Sequence, residues 1–210
     1  MNSEFTKRQW FPKKEASRIG FFGGSFDPPH LGHLALAKAA KETLPIDTLV
    51  FIVTSKSPFK LDTKNASFSE RLQMLALALK EEGLSDEFTI TDLEGELPTP
   101  NYTVETLNFL KEKGVDLKNS FFLMGEDAGI SFDHWKDSEA IRSQIGLAIF
   151  KRKGVESHSE STPPQAAWIP ADLPEVSSTT LRNHIKNLKT CPKYLQKSVF
   201  DFIKENHIYE

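Results

Sequence analysis

The sequence is poor in the features that mark several large protein classes. Its one cysteine, Cys191, has no second thiol with which to form an intramolecular disulfide or a Cys-based metal site. The longest apolar runs, at 48–54 and 145–150, are far shorter than the roughly 20 residues that a membrane-spanning helix needs. Lys and Arg number 26 against 29 Asp and Glu, so the excess of positive charge typical of nucleic-acid binders is missing. We therefore expect no disulfide framework, no membrane span and no nucleic-acid partner.

The first seventeen residues also lack a secretory signal. They carry four Lys or Arg residues, but they have neither an apolar central segment nor a small-residue cleavage site. We expect a cytoplasmic protein with an N-terminal extension at 1–17, to which the sequence assigns no role. Residues 18–210 are expected to form a single domain whose C-terminal portion, about 178–206, is helical. The sequence leaves both a monomer and a homo-oligomer open.

From residue 18 onward, short apolar runs alternate with longer segments of helical period. This alternation predicts an α/β fold: a doubly wound, Rossmann-like parallel sheet with helices on both faces. The predicted strands are 18–22, 48–54, 88–92, 120–124, 147–150 and 166–169. The predicted helices are 31–44, 68–80, 103–113, 179–188 and 192–205. Two segments rich in turn-forming residues, 55–69 and 154–164, are predicted to be mobile loops.

The segment from Gly23 to His33 reads GGSFDPPHLGH and joins the first predicted strand to the first predicted helix. Residues without a Cβ allow the phosphates of a ligand to approach the main chain closely. The pattern is neither the Gly-x-Gly-x-x-Gly dinucleotide fingerprint nor the Lys-bearing P-loop. Asp27 is expected to form a turn with the two prolines that follow it. His30 and His33, at i and i+3, share the first turn of a helix, where free N–H groups and the helix dipole favour anions.

Two other interpretations of the histidines compete with a phosphate site. His30 could be a turn residue while His33 packs under the helix, but the pair, with Gly32 and the upstream glycines, favours a phosphate site. A two-histidine metal site lacks a third ligand at the usual spacing, so no metal-binding residue is predicted.

These residues resemble the His-x-Gly-His signature of the nucleotidyltransferase superfamily, in the form typical of nicotinate-nucleotide adenylyltransferases. The resemblance implies that His30 and His33 stabilise the reacting phosphorus of ATP while pyrophosphate leaves. It also implies ATP contacts from the first turn and helix start, namely Gly23, Gly24, Ser25, Phe26 and Gly32. The segment VSSTTLR, ending at Arg182, is similar to the second signature of the superfamily. Ser177, Ser178, Thr179 and Arg182 are implied to hold the β- and γ-phosphates, and Arg182 is implied to be catalytic; in isolation, such a Ser/Thr run is usually just an N-cap.

The middle of the chain resembles the acceptor and adenine segments of the same family. The segment TPNYTVETL is similar to a Ser-Tyr-Thr-x-x-Thr-Leu pattern in which Asn101 replaces the serine, and MGED is similar to a Gly-x-Asp pattern. The implied acceptor-binding residues are Lys60, Tyr102, Thr103, Thr106, Trp135 and Lys136, and further ATP contacts are implied for Gly125, Asp127 and Arg152. Trp135 could instead be a partly buried core aromatic, and Arg71, which also matches a family arginine, could be explained by a surface ion pair.

The implied activity is transfer of AMP from ATP to nicotinate mononucleotide in NAD biosynthesis, with Mg²⁺ bound mostly through triphosphate oxygens. Three alternatives stay open: the same chemistry on nicotinamide mononucleotide or another phosphate ester, a relative of class I aminoacyl-tRNA synthetases, and a nucleotide-sensing module without turnover. The second is disfavoured because the chain has no Lys-Met-Ser-Lys-Ser-like loop and no basic surface for tRNA.

Overall fold

The computed structural model describes residues 18–56, 66–152 and 166–210, and Arg152 by its backbone alone. The extension at 1–17, Lys60, the side chain of Arg152 and the predicted loop at 154–164 lie outside the described residues, as does most of the loop at 55–69. In chain order the described elements are β1 (Ile19–Gly24), α1 (Leu31–Thr43), β2 (Thr48–Val53), α2 (Phe68–Glu81), β3 (Phe88–Thr91), α3 (Thr103–Glu112), β4 (Phe121–Gly125), α4 (Glu126–Ile130), α5 (Ser138–Gln144), β5 (Gly146–Arg152), β6 (Ala166–Ala171), α6 (Ser178–Leu188) and α7 (Lys197–Glu205). Short 3₁₀ helices cover Leu93–Gly95 and Phe132–His134.

The six strands form one parallel sheet in the order β3-β2-β1-β4-β5-β6. The order reverses direction between β1 and β4, which is the switch point where a doubly wound sheet opens a crevice at the carboxyl ends of its strands. The predicted α/β class and its doubly wound parallel sheet are confirmed. No helix among the described residues is long and apolar enough to cross a membrane.

The side chains of each strand alternate between two hydrophobic cores, as the period of two residues requires. In β2, Phe51 packs into the core shared with α1, α2, α6 and α7, while its neighbours Val50 and Ile52 face the core shared with α3 and α5. Both faces of the sheet are therefore covered by helices. This two-sided cover leaves the carboxyl edge of the strands as the place where polar side chains can meet a ligand.

The last helix begins later than the sequence predicts. The apolar period of 192–205 predicts a helix from Pro192, whereas α7 begins at Lys197. Tyr194 has a φ of 71°, which is incompatible with a right-handed helix. Its carbonyl accepts a hydrogen bond from Leu31 N (3.0 Å) rather than from a later residue of a helix. This tertiary contact at the start of α1 overrides the local helical pattern.

Candidate active site

The turn between β1 and α1 packs tightly on itself. A Cβ on Gly24 would lie 2.8 Å from the ring of Phe26, and a Cβ on Gly32 would lie 3.0 Å from both the His30 ring and Val176. Phe26 is buried with φ of 48°, and its ring contacts Phe22 edge-on at 5.4 Å between centroids. The two glycines are thus required by packing within the protein, in addition to any close approach of a ligand.

His30 and His33 form a stacked pair at the start of α1. Their ring centroids lie 3.7 Å apart at an angle of 27°, and His30 N donates to His33 Nδ1 (3.2 Å). Because His33 Nδ1 accepts this bond, the neutral ring carries its proton on Nε2. Burial lowers the pKa of His30 to about 4, so this imidazole is neutral at pH 7. His30 Nδ1 is buried and has no hydrogen-bond partner among the described residues.

The start of α6 lies directly on this turn. Ser178 Oγ donates to the Pro28 carbonyl (3.0 Å), and Arg182 Nη1 donates to the Asp27 carbonyl (2.6 Å). Arg182 Nη2 also donates to Thr179 Oγ1 (3.2 Å). Ser177 is the N-cap of α6, accepting from Thr180 N (3.1 Å). The two segments that resemble the superfamily signatures are therefore in contact, and the N-termini of α1 and α6 meet at one edge of the sheet.

Arg71 ties this turn to the end of β2. The guanidinium is buried and donates to the carbonyls of Ser25 (2.8 Å), Thr54 (2.6 Å) and Ser55 (2.8 Å). The explanation of Arg71 as a surface ion pair is wrong, because the residue is 6% exposed and its guanidinium donates to main-chain carbonyl oxygens. A fork of donors of this kind holds two loops at a fixed distance.

A cavity of about 590 Å³ opens beside the turn, at the carboxyl ends of β1, β2 and β4. The residues from the sequence prediction that line it are Gly23, Gly24, Ser25, Tyr102, Thr103, Gly125, Trp135 and Lys136. Trp135 is half-buried and packs on the rings of Phe122 (6.2 Å) and Phe132 (5.4 Å). Lys136 Nζ binds Glu105 Oε1 (2.7 Å) and lies 4.4 Å from the centre of the Tyr102 ring. The cavity walls thus offer aromatic rings next to the N-terminus of α3.

Several predicted site residues lie elsewhere. Thr106 is buried behind the cavity wall, where its hydroxyl donates to Glu94 Oε1 (2.8 Å), and it does not line the cavity. Asp127 is exposed on α4 and does not line it either, although Gly125 does. The two histidines and the first turn of α6 lie outside the cavity lining, on the side formed by α1 and α6.

Glu94 is a cavity residue that the sequence analysis did not single out. It is 6% exposed, and burial raises the pKa of its carboxyl to about 7, opposed by the hydrogen bond from Thr106 and by the charge of Arg71. Asn101 Nδ2 donates to the Glu94 carbonyl (3.1 Å) and Asn101 Oδ1 accepts from Lys56 N (2.8 Å). No periodic pattern marks Glu94, since it lies in a three-residue 3₁₀ helix.

Comparisons with known proteins agree with this geometry. A family model described as cytidylyltransferase-like matches residues 21–184. A protein of Bacteroides fragilis, named probable nicotinate-nucleotide adenylyltransferase, is 34% identical over 88% of this chain and 90% of its own length. The Bacillus pumilus protein of the same name is 34% identical over 92% of this chain and 98% of its own length.

The chain belongs to the nicotinate-nucleotide adenylyltransferase family, within the cytidylyltransferase-like proteins. A solved structure of the Plasmodium falciparum nicotinic acid mononucleotide adenylyltransferase, complexed with NaAD, has a TM-score of 0.74 and covers 92% of this chain and 97% of its own. At 19% identity this likeness shows the shared fold. The family membership covers both segments in contact, since the match spans the histidine turn and most of α6.

Proposed function

We propose that this protein transfers AMP from ATP to nicotinate mononucleotide, forming the deamido dinucleotide and pyrophosphate. The observation that carries the proposal is the contact between the histidine turn and the start of α6, next to a cavity walled by aromatic rings. The membership of the chain in the adenylyltransferase family supports the same assignment. ATP would occupy the side formed by α1 and α6, and the acceptor would occupy the cavity.

The triphosphate of ATP would bind where the two helix N-termini meet. Both helix dipoles place partial positive charge there, and the first N–H groups of a helix have no intrahelical acceptor. Arg182 uses two of its five guanidinium donors on Asp27 and Thr179, so donors remain for phosphate oxygens. His33 would donate from Nε2, because its Nδ1 already accepts from His30 N. The triphosphate would therefore receive hydrogen bonds from main-chain N–H groups, from the His33 ring and from the Arg182 guanidinium.

The acceptor ring would lie between the aromatic walls of the cavity. Trp135 and Tyr102 offer faces for stacking on a pyridine ring. Thr103 is the first residue of α3, so its N–H has no intrahelical acceptor and could bind the ring carboxylate together with the N–H of Lys136. Thr106 would act indirectly, by holding Glu94 in the wall. Lys60, Arg152 and Asp127 remain predictions for phosphate or nucleotide contacts.

The reaction needs no protein nucleophile. An oxygen of the acceptor phosphate attacks the α-phosphorus of ATP, a P–O bond forms, and the bond from the α-phosphorus to the bridging oxygen of the β-phosphate breaks. Both electrons of that bond leave with pyrophosphate. His30, His33 and Arg182 would position the triphosphate and offset the charge that develops on its oxygens.

Magnesium would enter with ATP. The carboxylate nearest the histidine turn, that of Asp27, already accepts from Ala66 N (3.2 Å) and from the Tyr209 hydroxyl (2.6 Å), so it is poorly placed to serve as a metal ligand. Among residues 18–56, 66–152 and 166–210, no group of three His, Cys, Asp or Glu side chains could hold a metal ion. We therefore assign Mg²⁺ to the triphosphate oxygens and water, where it would neutralise the charge of the departing pyrophosphate.

A cytoplasmic location is part of the proposal.

A pyrophosphate-release assay with ATP and either nicotinate or nicotinamide mononucleotide tests this function. We expect turnover with the nicotinate substrate at the higher kcat/KM, because main-chain N–H groups favour a carboxylate over a neutral amide. Preference for the amide or for an unrelated phosphate ester would identify a different acceptor. Binding of ATP without pyrophosphate release from any acceptor would identify a sensing module.

A further inference from the structure

The histidine turn is held by a residue that follows α7. The Tyr209 hydroxyl donates to Asp27 Oδ1 at 2.6 Å, across 182 residues of sequence. Asp27 is 2% exposed, and the second donor to the same oxygen is Ala66 N at 3.2 Å. The shorter of these two bonds thus comes from the tyrosine. Deleting one hydroxyl would leave the buried Asp27 carboxylate short of a partner.

Asp27 is held at both its side chain and its main chain. Its carboxylate accepts from Tyr209, and its carbonyl accepts from Arg182 Nη1 at 2.6 Å. Two prolines, Pro28 and Pro29, connect Asp27 to His30, and the ring of each proline fixes φ. A displacement of Asp27 is therefore passed along a stiff link to His30 and to the first turn of α1.

The surroundings of Tyr209 keep its hydroxyl protonated, so that it remains a hydrogen-bond donor to Asp27. Its ring is partly buried against the core that α1, α2, α6 and α7 share, and its backbone is left-handed, with φ of 70°. Burial, together with the negative charge of Asp27 and the hydrogen bond to it, raises the pKa of the Tyr209 hydroxyl. Arg71 and Arg182 oppose this rise. The phenol consequently keeps its proton at pH 7.

We propose that Tyr209 is a positioning residue of the ATP site, whose hydroxyl fixes Asp27 and through it the turn that carries His30 and His33. The inference rests on the proposed function, because it concerns the same site. The tyrosine does not touch the proposed position of the substrates, and it acts only through Asp27 and the prolines.

Tyr209→Phe removes the hydroxyl and keeps the packed ring. We expect kcat/KM for ATP to fall about 10-fold, the scale of losing one hydrogen bond to a charged group. KM for nicotinate mononucleotide should stay within about twofold of wild type, because the acceptor cavity is built from other elements. A merely structural role would lower the melting temperature and leave KM for ATP unchanged well below that temperature.

The pair Tyr209→Phe and Asp27→Asn tests whether the tyrosine acts through Asp27. If it does, the double variant loses little more than the worse single variant; multiplied losses would overturn the proposal. Glu210→Gln is the control, because it breaks exposed ion pairs with Lys204 and His207 in the same segment and leaves the Asp27 contact intact. Its ATP parameters should match wild type, and a loss equal to that of Tyr209→Phe would assign the effect to general ordering of the segment.

Calorimetric affinity for a non-hydrolysable ATP analogue separates this inference from the proposed function. If the wild-type protein shows no turnover on nicotinate mononucleotide, the proposed function is refuted but the inference about Tyr209 is not. The inference would still be tested by analogue binding, which should weaken in Tyr209→Phe and not in Glu210→Gln. Equal analogue affinity in wild type and Tyr209→Phe would refute the inference, whatever the acceptor.

Discussion

The buried imidazole of His30 should make the protein less stable in mild acid. In the unfolded chain this side chain titrates near pH 6.5, whereas burial in the folded protein lowers its pKa to about 4. As the pH falls below 6.5, the unfolded state binds the proton first, so the free energy of unfolding decreases until the folded state is protonated near pH 4. The two pKa values give a loss of about 2 kcal/mol between pH 7.5 and pH 5.

Urea denaturation of wild type and of His30→Gln at the two pH values measures this loss. We expect wild type to lose about 2 kcal/mol more than the variant, because glutamine does not titrate. Comparing differences between pH values cancels the effect of the substitution at any one pH. His134→Gln, at an exposed histidine, is the matched control and should follow wild type. Parallel losses in wild type and His30→Gln would show that the ring is accessible to protons in the folded state.

Three further predictions concern the site. His33→Ala should lower kcat by on the order of 10², the scale of losing one transition-state donor, with folding intact by circular dichroism; near wild-type turnover would refute the role. Burial raises the pKa of Glu94 to about 7, so its contribution to stability is full below about pH 4.5 and is lost as the pH rises through 7. Wild type should thus lose about 2.5 kcal/mol more than Glu94→Gln between pH 5 and pH 8 in urea denaturation, and equal losses would contradict the burial of a neutral acid. Trp135→Ala should raise KM for nicotinate mononucleotide about 10-fold and leave KM for ATP unchanged, whereas a rise in both would place the ring outside the acceptor subsite.

The sequence was sufficient for the sheet because each strand carries its own signal. All six predicted strands are present, and no strand end differs from its predicted position by more than two residues; the two-residue differences are at the ends of β1, β5 and β6. Hydrophobic periodicity and residue composition are local properties of each segment, so they indicate a strand without knowledge of the tertiary contacts. The short helices α4 and α5 were not predicted, since five and seven residues are too few to establish a helical period.

The contacts that build the site could not be predicted from local patterns. Arg71 bonds to carbonyls of two separate loops, at Ser25 and at Thr54 and Ser55, and Tyr209 bonds to Asp27 across most of the chain. The start of α7 was misplaced for the same reason, because the Tyr194 carbonyl is used by α1. Conversely, the motif segments indicated in advance which two helix starts would meet, since parallel strands bring their carboxyl ends to one edge.

The proposed function requires that one triphosphate is held by the N-termini of both α1 and α6. A crystal structure with a non-hydrolysable ATP analogue and Mg²⁺ tests this most directly. We predict phosphate oxygens within hydrogen-bond distance of His33 on α1 and, in the same molecule, of Thr179 or Arg182 on α6. A triphosphate that contacts only one of these helices, or that lies in the cavity between Tyr102 and Trp135, would contradict it.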